Sequence, residues 1–420
     1  MARGSFLTRR KIKTKGHAML KINRRSFIAG SASAAAGFAI LEPRIVRGFD
    51  ANSRIEVGCV GLGGRGSLIA RMIAENHKGY QIVSVADYFP EVAQNAGNRL
   101  KVDPKRQFSG LNGYKKLIDS KVDAVFLETP PCFFPYHASA AVEAGCHVYM
   151  AKPVACDVPG TLAIAQAGKR ATISELVFLV DFQVPTDPFN IETAKRVHEG
   201  MIGEMGMISS IYTDESFADP PKTRNAESRL RRLIWVNDID LGGSYLVNAG
   251  IHAIDAGLWL AKAPPVGAMG ASRVVRANPS GDSRDAYSVT FTFADGLIMN
   301  HRGEHIRNTH GFLCNTTAYG RHGCAEVSYT EKAWLRGNKG GYKGGEVKNL
   351  YASGISRNLE KFEKNIRGAV YENETARSGA DSTLATILGR EAAIRRTHIT
   401  MKQLIAENKR IEPDLSGLKT

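Results

Sequence analysis

Cysteine is scarce in this chain, with six among 420 residues, and none is spaced for cysteine chemistry. Cys59, Cys132, Cys146, Cys156, Cys314 and Cys324 form no Cys-x-x-Cys pair and no zinc-like spacing, which argues against a dithiol redox motif and a structural zinc site. Buried free thiols are the default reading. An oxidising compartment would leave a Cys314–Cys324 disulfide open. Internal repeats are absent. The apolar run near the N-terminus, ending at Ile40, is about 14 residues, short of the roughly 20 that a membrane span needs. Charge outside the N-terminal region is nearly balanced. The formal net charge is +15, but residues 1–54 hold twelve Lys/Arg and two Asp/Glu and so carry +10 of it. The +5 left on the rest is ordinary for an enzyme, and a nucleic-acid partner loses its main support. With 43% hydrophobic and 23% charged residues, the chain can build two ordinary domains.

The basic N-terminal stretch has its own explanation. Asn23-Arg24-Arg25-Ser26-Phe27-Ile28 runs into an uncharged segment of Ala, Ser and Gly with a few large apolar residues. It resembles a twin-arginine export signal, with Met19 a candidate start and the mature chain expected to begin between Ile40 and Ser53. That reading makes residues 1–53 a leader, gives the twin-arginine machinery as a partner and predicts a periplasmic or secreted protein. The route carries folded proteins, which suits a cofactor loaded before export.

From Arg54 the pattern alternates strand and helix: Ile55 to Val60, a glycine turn, Ser67 to Glu75, then Gln81 to Ala86. A helix over Pro90 to Leu100 and a buried strand over Val122 to Leu127 follow. Then come a helix over His137 to Ala144, stopped by Gly145, and a strand over Cys146 to Met150. A helix near Gly160 to Thr172 and a strand near Val177 to Phe182 close the alternation. Further on, Tyr287, Val289, Phe291 and Phe293 alternate with polar residues before Asp295-Gly296 and Leu297 to His301, the pattern of a hairpin with one buried face. Gly337 to Gly345 reads as a loop, and Asn358 to Ile366 and Ser382 to Arg396 as helices.

Gly61-x-Gly63-x-x-Gly66 would be weak evidence alone. Its context is strong, because it follows a buried strand, opens a helix and precedes Asp87 at the end of the second strand. Glycines, Gly64 included, let the backbone approach a pyrophosphate, and the helix N-terminus offers unpaired N–H groups and a partial positive charge. Asp87 can hold the adenosine ribose diol, which favours NAD; Arg65 in the loop keeps NADP open.

Glu128-Thr129-Pro130, His137, Gly145-Cys146-His147-Val148 and Ala151-Lys152-Pro153-Val154-Ala155 follow the loop in order, and Gly242-Gly243-Ser244-Tyr245 leads into Asn248 and His252-Ala253-Ile254-Asp255. In this the chain resembles the Gfo/Idh/MocA oxidoreductases over roughly 54–400. The family tripeptide is Glu-Lys-Pro, so Ala151 departs from it while Lys152 and Pro153 match. Many members also carry an aspartate where Asn248 stands.

The resemblance implies reversible hydride transfer between NAD(P) and a secondary hydroxyl of a sugar or cyclitol. It makes His252 the general base and Lys152 the group that contacts the reacting oxygen, and adds Thr129, Pro130 and His137 to the dinucleotide site. Asp255, three residues beyond His252 on a helix, is expected to share its face and to orient the histidine or bind a substrate hydroxyl. Asn248 can hydrogen-bond but cannot take a proton, which leaves His252 to act alone. Two alternatives stay open: an NAD-using glycosidase or lyase that oxidises transiently, and a non-catalytic relative.

Two further motifs stand in the chain. His301-Arg302-Gly303-Glu304-His305 fits a zinc-peptidase pattern, but on a strand His301 and His305 face away from Glu304, so no metal is expected and pocket lining is the better functional reading. Arg229-Leu230-Arg231-Arg232-Leu233-Ile234-Trp235 reads as a solvated helix face, with a pocket for an anionic sugar as the alternative.

The expected architecture is an α/β Rossmann domain over 54–175, an α+β domain with an open, mostly antiparallel sheet over 176–345, and C-terminal helices over 346–420 packing back on the core. An uncovered sheet face predicts a homo-oligomer, a dimer or tetramer. The cofactor is expected to be tightly bound.

Overall fold

A computed structural model describes residues 53–420, apart from 215–216, 220–222, 224, 233, 307–310 and 339. The export signal lies outside the described residues.

Six strands build the first sheet: β1 (Ile55–Val60), β2 (Tyr80–Asp87), β3 (Gln107–Ser109), β4 (Ala124–Leu127), β5 (His147–Ala151) and β6 (Phe178–Asp181). They pair in parallel in the order β3-β2-β1-β4-β5-β6. The order reverses between β1 and β4, where an open parallel sheet leaves a crevice beyond its strand ends. Strands β4 and β6 are buried throughout, as expected for a parallel sheet covered on both faces. Helices α1 (Gly64–Asn76), α2 (Pro90–Arg99), α3 (Gly113–Asp119), α4 (Phe134–Glu143) and α5 (Val158–Ile173) make the crossovers. The last strand lies beyond residue 175, so the sheet runs a few residues past the expected boundary. Asp181 ends it.

Beyond α6 (Pro188–His198) the second sheet begins with β7 (Met205–Asp214). The segment Leu246–Gly250 is a π-helical turn leading into α7 (Ile251–Ala261). Strands β8 (Gly267–Arg273), β9 (Ala286–Thr292), β10 (Ile298–His305), β11 (Leu313–Gly320), β12 (Gly323–Ser328), β13 (Lys332–Gly337) and β14 (Gly340–Glu346) complete it with the short β15 (Ile399–Thr400). The order is β14-β13-β12-β11-β7-β10-β9-β8-β15, with β10 and β7 parallel and every other pair antiparallel. The glycine-rich stretch expected to be a loop is therefore an edge hairpin, since its glycines still form a ladder with β13.

Alternation decides which face is covered. Tyr287, Val289 and Phe291 point into a core capped by α6, α7 and the long α9 (Glu374–Arg395). The opposite face leaves Met207, Met269, Ile298 and Tyr319 exposed. Between β14 and α9 lies α8 (Leu350–Arg367), whose Ile355, Leu359 and Phe362 bury against Phe126, Tyr149 and Leu179 of the first sheet. Helix α9 touches both sheets. Its buried Arg390 donates to the carbonyls of Cys156 (3.0 Å) and Gly243 (2.9 Å). One side chain thus ties the loop after Lys152 to the signature before His252. A short α10 (Met401–Glu407), with a capping box at Thr400 and Gln403, precedes an extended tail.

Candidate active site

A cleft of about 810 Å³ opens at the carboxyl ends of β1, β4 and β5 and is closed from the other side by β7, the π-helical turn and α7. The glycine loop forms its floor. Gly61 has φ +86°, and a Cβ there would stand 2.7 Å from the Glu128 carbonyl carbon. Gly63 and Gly64 face open space, where a side chain would fill the cradle. Gly66 does not line the cleft; it lets α1 pack against the Gly61 carbonyl, the close-packing role of the third glycine. The α1 N-terminus carries no side-chain cap, so its N–H groups remain for an anion. Asp87 accepts from the Leu62 N–H (2.7 Å) and the Phe89 N–H (3.0 Å), clamping the loop, and burial raises its carboxyl above the ordinary range. These features fit a dinucleotide.

Arg65 is engaged by acids of the first sheet. Its guanidinium turns beneath the loop, pairs with Asp181 and with Glu128 (3.2 Å), and lies over the Tyr351 ring at 5.0 Å. Two buried carboxylates hold it, and it lines the cleft beside Gly64.

Thr129, Pro130 and His137 line the same cleft. Thr129 Oγ1 lies 3.3 Å from His137 Nδ1, and His137 stacks on Phe133 with ring centroids 5.8 Å apart. Burial pulls His137 down to about 3, which keeps it neutral.

Lys152, at the end of β5, donates from Nζ to the main-chain carbonyl of Asn248 at 2.8 Å. Burial pulls its ammonium down to about 7, and Arg65 pulls the same way, against Asp181 and Glu128. His252 enters from α7 between Tyr212 (6.1 Å, nearly parallel) and Tyr329 (5.2 Å, edge-on). Its Nδ1 is buried with no hydrogen-bond partner among the described residues. Burial, then the charges of Lys152 and Arg65, hold it well below the ordinary range. Lys152, Asn248 and His252 therefore meet in one cleft.

Asp255 does not join them. Successive helix residues rotate by about 100°, so a step of three leaves the two side chains some 60° apart. In this helix, buried on nearly all sides, that offset turns Asp255 toward α9, where Ser382 Oγ donates to it at 2.6 Å. It neither touches the histidine nor lines the cleft.

Other expectations are also corrected. The run from Arg229 is no solvated helix face: it forms short 3₁₀ turns, with Leu230, Arg231, Arg232 and Trp235 on the cleft and Arg229 buried against Asp219 and Asp238. His301 and His305 sit on the buried face of β10 as expected of a strand, but they are core residues rather than pocket lining. His301 Nδ1 lies 2.8 Å from Ser210 Oγ, and His305 stacks on Tyr245. All six cysteines are free, which removes the Cys314–Cys324 alternative.

Sequence reasoning missed the acids. Glu128 stands in the sequence only as part of a motif, and Asp181 stands in none. Both end buried strands on the carboxyl side of a parallel sheet, which is the available signal. The aromatic walls Tyr212, Phe312 and Tyr329 come from the second sheet and lacked any local pattern.

A glycine-floored crevice at the switch point, with a lysine and a buried histidine above it, defines a dinucleotide-binding oxidoreductase of the Rossmann class. Comparison with known proteins names the family. The oxidoreductase family with an NAD-binding Rossmann fold matches residues 55–175, and the GFO/IDH/MocA C-terminal domain matches 191–326; the chain belongs to the Gfo/Idh/MocA oxidoreductases. Inositol 2-dehydrogenase 4 of Saccharopolyspora erythraea is 31% identical over 157 residues, 36% of this chain and 43% of that protein. An uncharacterized oxidoreductase, ORF334, of Rhizobium meliloti is 26% identical over 190 residues, 45% of this chain and 50% of that protein. The chain thus spans half or less of these curated relatives. The solved structure of myo-inositol 2-dehydrogenase from Lactobacillus plantarum superposes with TM-score 0.66 at 20% identity, over 83% of this chain and 99% of that one, which speaks for the fold.

Proposed function

We propose that this protein is an NAD-dependent oxidoreductase acting on a secondary hydroxyl of a sugar, cyclitol or sugar derivative. The observation that carries the reading is the meeting of Lys152 from the first sheet with His252 from the second domain above the glycine loop. The cofactor, when bound, supplies the hydride acceptor. Lys152 is anchored by the Asn248 carbonyl and offers its remaining N–H donors to the substrate oxygen, stabilising the negative charge that develops there. The hydroxyl proton passes to the unpartnered Nδ1 of His252, whose neutral ring is the form able to accept it. Tyr212, Phe312, Tyr329 and Trp235 give the cleft apolar faces suited to the C–H side of a pyranose or cyclitol ring, and they exclude water.

The clamp on Asp87 and the engagement of Arg65 support NAD over NADP. The twin-arginine motif at Arg24-Arg25 supports export, and a protein outside the cytoplasm has no free cofactor pool, so we read the dinucleotide as tightly held and recycled. The exposed apolar residues on the open sheet face support self-association.

The experiment is a panel of inositols, aldoses and glycosides assayed with NAD for reduced nicotinamide. Turnover with at least one neutral polyol, lost in His252→Ala, is the expected result. A protein that binds NAD and oxidises none of the panel would overturn the reading, and cleavage of a glycoside without reduced cofactor accumulating would redirect it to a lyase.

A further inference from the structure

The family resemblance puts a glutamate where Ala151 stands, yet the space beside Ala151 is not apolar. Ala151 pairs in register with Asp181 of β6. On its other side Leu127 pairs with Met150, so the next step along β4 brings Glu128 beside Ala151. The missing carboxylate is thus flanked by two others, with side chains 3% and 0% exposed. Their bonding differs. Asp181 is committed: Arg65 pairs with it, and Gln183 (2.8 Å) and Asn358 (2.6 Å) donate to its Oδ1. Glu128 has the Arg65 ion pair alone, neither of its buried oxygens accepts a hydrogen bond among the described residues, and it lines the cleft with Lys152.

We propose that Glu128 is a positioning residue for Lys152, supplying from the neighbouring strand the carboxylate that the family carries on the residue before the lysine. Arg65 and Lys152 bring two positive charges to this dry corner. Asp181 and then Glu128 favour the ammonium form of Lys152 that is offered to the substrate oxygen, and burial pushes the Glu128 carboxyl up to about 8, so Glu128 and Lys152 titrate in the same pH range. The inference rests on the dehydrogenase reading only in its use of Lys152.

The test reads Lys152 directly. The groups that face it are Arg65 from the glycine loop, Glu128 after β4, Asp181 from β6, Cys314 from β11, His252 from α7 and the Asn248 carbonyl. In the full chain, labelling of Lys152 by an amine-reactive reagent is followed across pH by peptide mass spectrometry, beside the pH profile of kcat/KM. Removing a neighbouring anion favours the neutral amine. Glu128→Gln should therefore shift the titration down by about one unit, equivalent to roughly tenfold faster labelling below the midpoint, and move the alkaline limb of kcat/KM the same way. Adding Ala151→Glu to that variant should restore both. Should Glu128→Gln fail to fold, Glu128→Asp, which retracts the carboxylate, should give a smaller shift of the same sign. An unchanged titration in a folded variant overturns the proposal. A shifted titration in a protein that oxidises no polyol sinks the dehydrogenase reading and leaves this inference standing.

Discussion

Lys152 holds on to the main-chain carbonyl of Asn248 rather than to its side chain, at 2.8 Å. Any residue at 248 offers that carbonyl, so the loss of the usual aspartate leaves the lysine anchored. Asn248→Ala should lower kcat/KM by less than about tenfold, the scale of one modest polar contact. Asn248→Asp adds an anion to the cleft wall and should move the alkaline limb of the kcat/KM profile to higher pH. A hundredfold loss in the alanine variant would show that the amide itself is required.

His252→Ala removes the neutral base that the second domain brings into the cleft with Lys152. A loss of about 10²–10⁴ in kcat, with KM changed far less, is the expected signature of a general base. Retention of full activity would contradict the assignment.

Asp255 is a stability residue. Burial raises it to about 7 from its ordinary 3.8. Between those values the folded chain holds a proton that the unfolded chain releases, so stability falls as pH rises from about 4 to about 7 and stays lower above. Asp255→Asn keeps an acceptor for Ser382 and abolishes the ionisation. Its Tm should exceed that of the parent at pH 8, by a gain of up to about 4 kcal/mol, and match it at pH 4. Thermal melts at the two pH values check this, and kcat should hardly change.

The C-terminal tail packs behind the wall of the cleft that carries Leu111 and the turn before Arg231. The Ile411 N–H donates to Asp157 (2.7 Å), the Ala226 N–H to the Asp414 carbonyl (3.3 Å) and the Leu111 N–H to the Lys419 carbonyl (2.8 Å). It holds the turn that carries Arg231, which lies 3.7 Å above the Phe89 ring. Truncation after Lys409 should speed NAD release by an order of magnitude or more while the Tm drops only modestly. Stopped-flow displacement of bound NAD measures it, and an unchanged off-rate contradicts a clamping role.

Much of this was legible from local chemistry. Gly61, Gly63 and Asp87 are placed by a strand-turn-helix pattern that only a few residues determine, and Lys152 and His252 sit in contiguous motifs. What escaped depends on contacts distant in sequence. Asp255 was assigned to the histidine's face because a helix spacing says nothing about which neighbour fills a 60° offset. The engagement of Arg65 is hidden in the sequence because its partner Asp181 lies 116 residues away. The hairpin of β13 and β14 was hidden because ladder hydrogen bonds, not side chains, hold its glycines.

The central claim is hydride transfer within this cleft, and transfer of deuterium tests it most directly. The protein is loaded with NAD, mixed with carbon-deuterated polyols for a single turnover, and the nicotinamide is recovered for mass spectrometry. The account predicts deuterium on the nicotinamide ring with at least one neutral polyol, and its loss in His252→Ala. No deuterium from any polyol, in a protein shown to carry bound NAD, would contradict it.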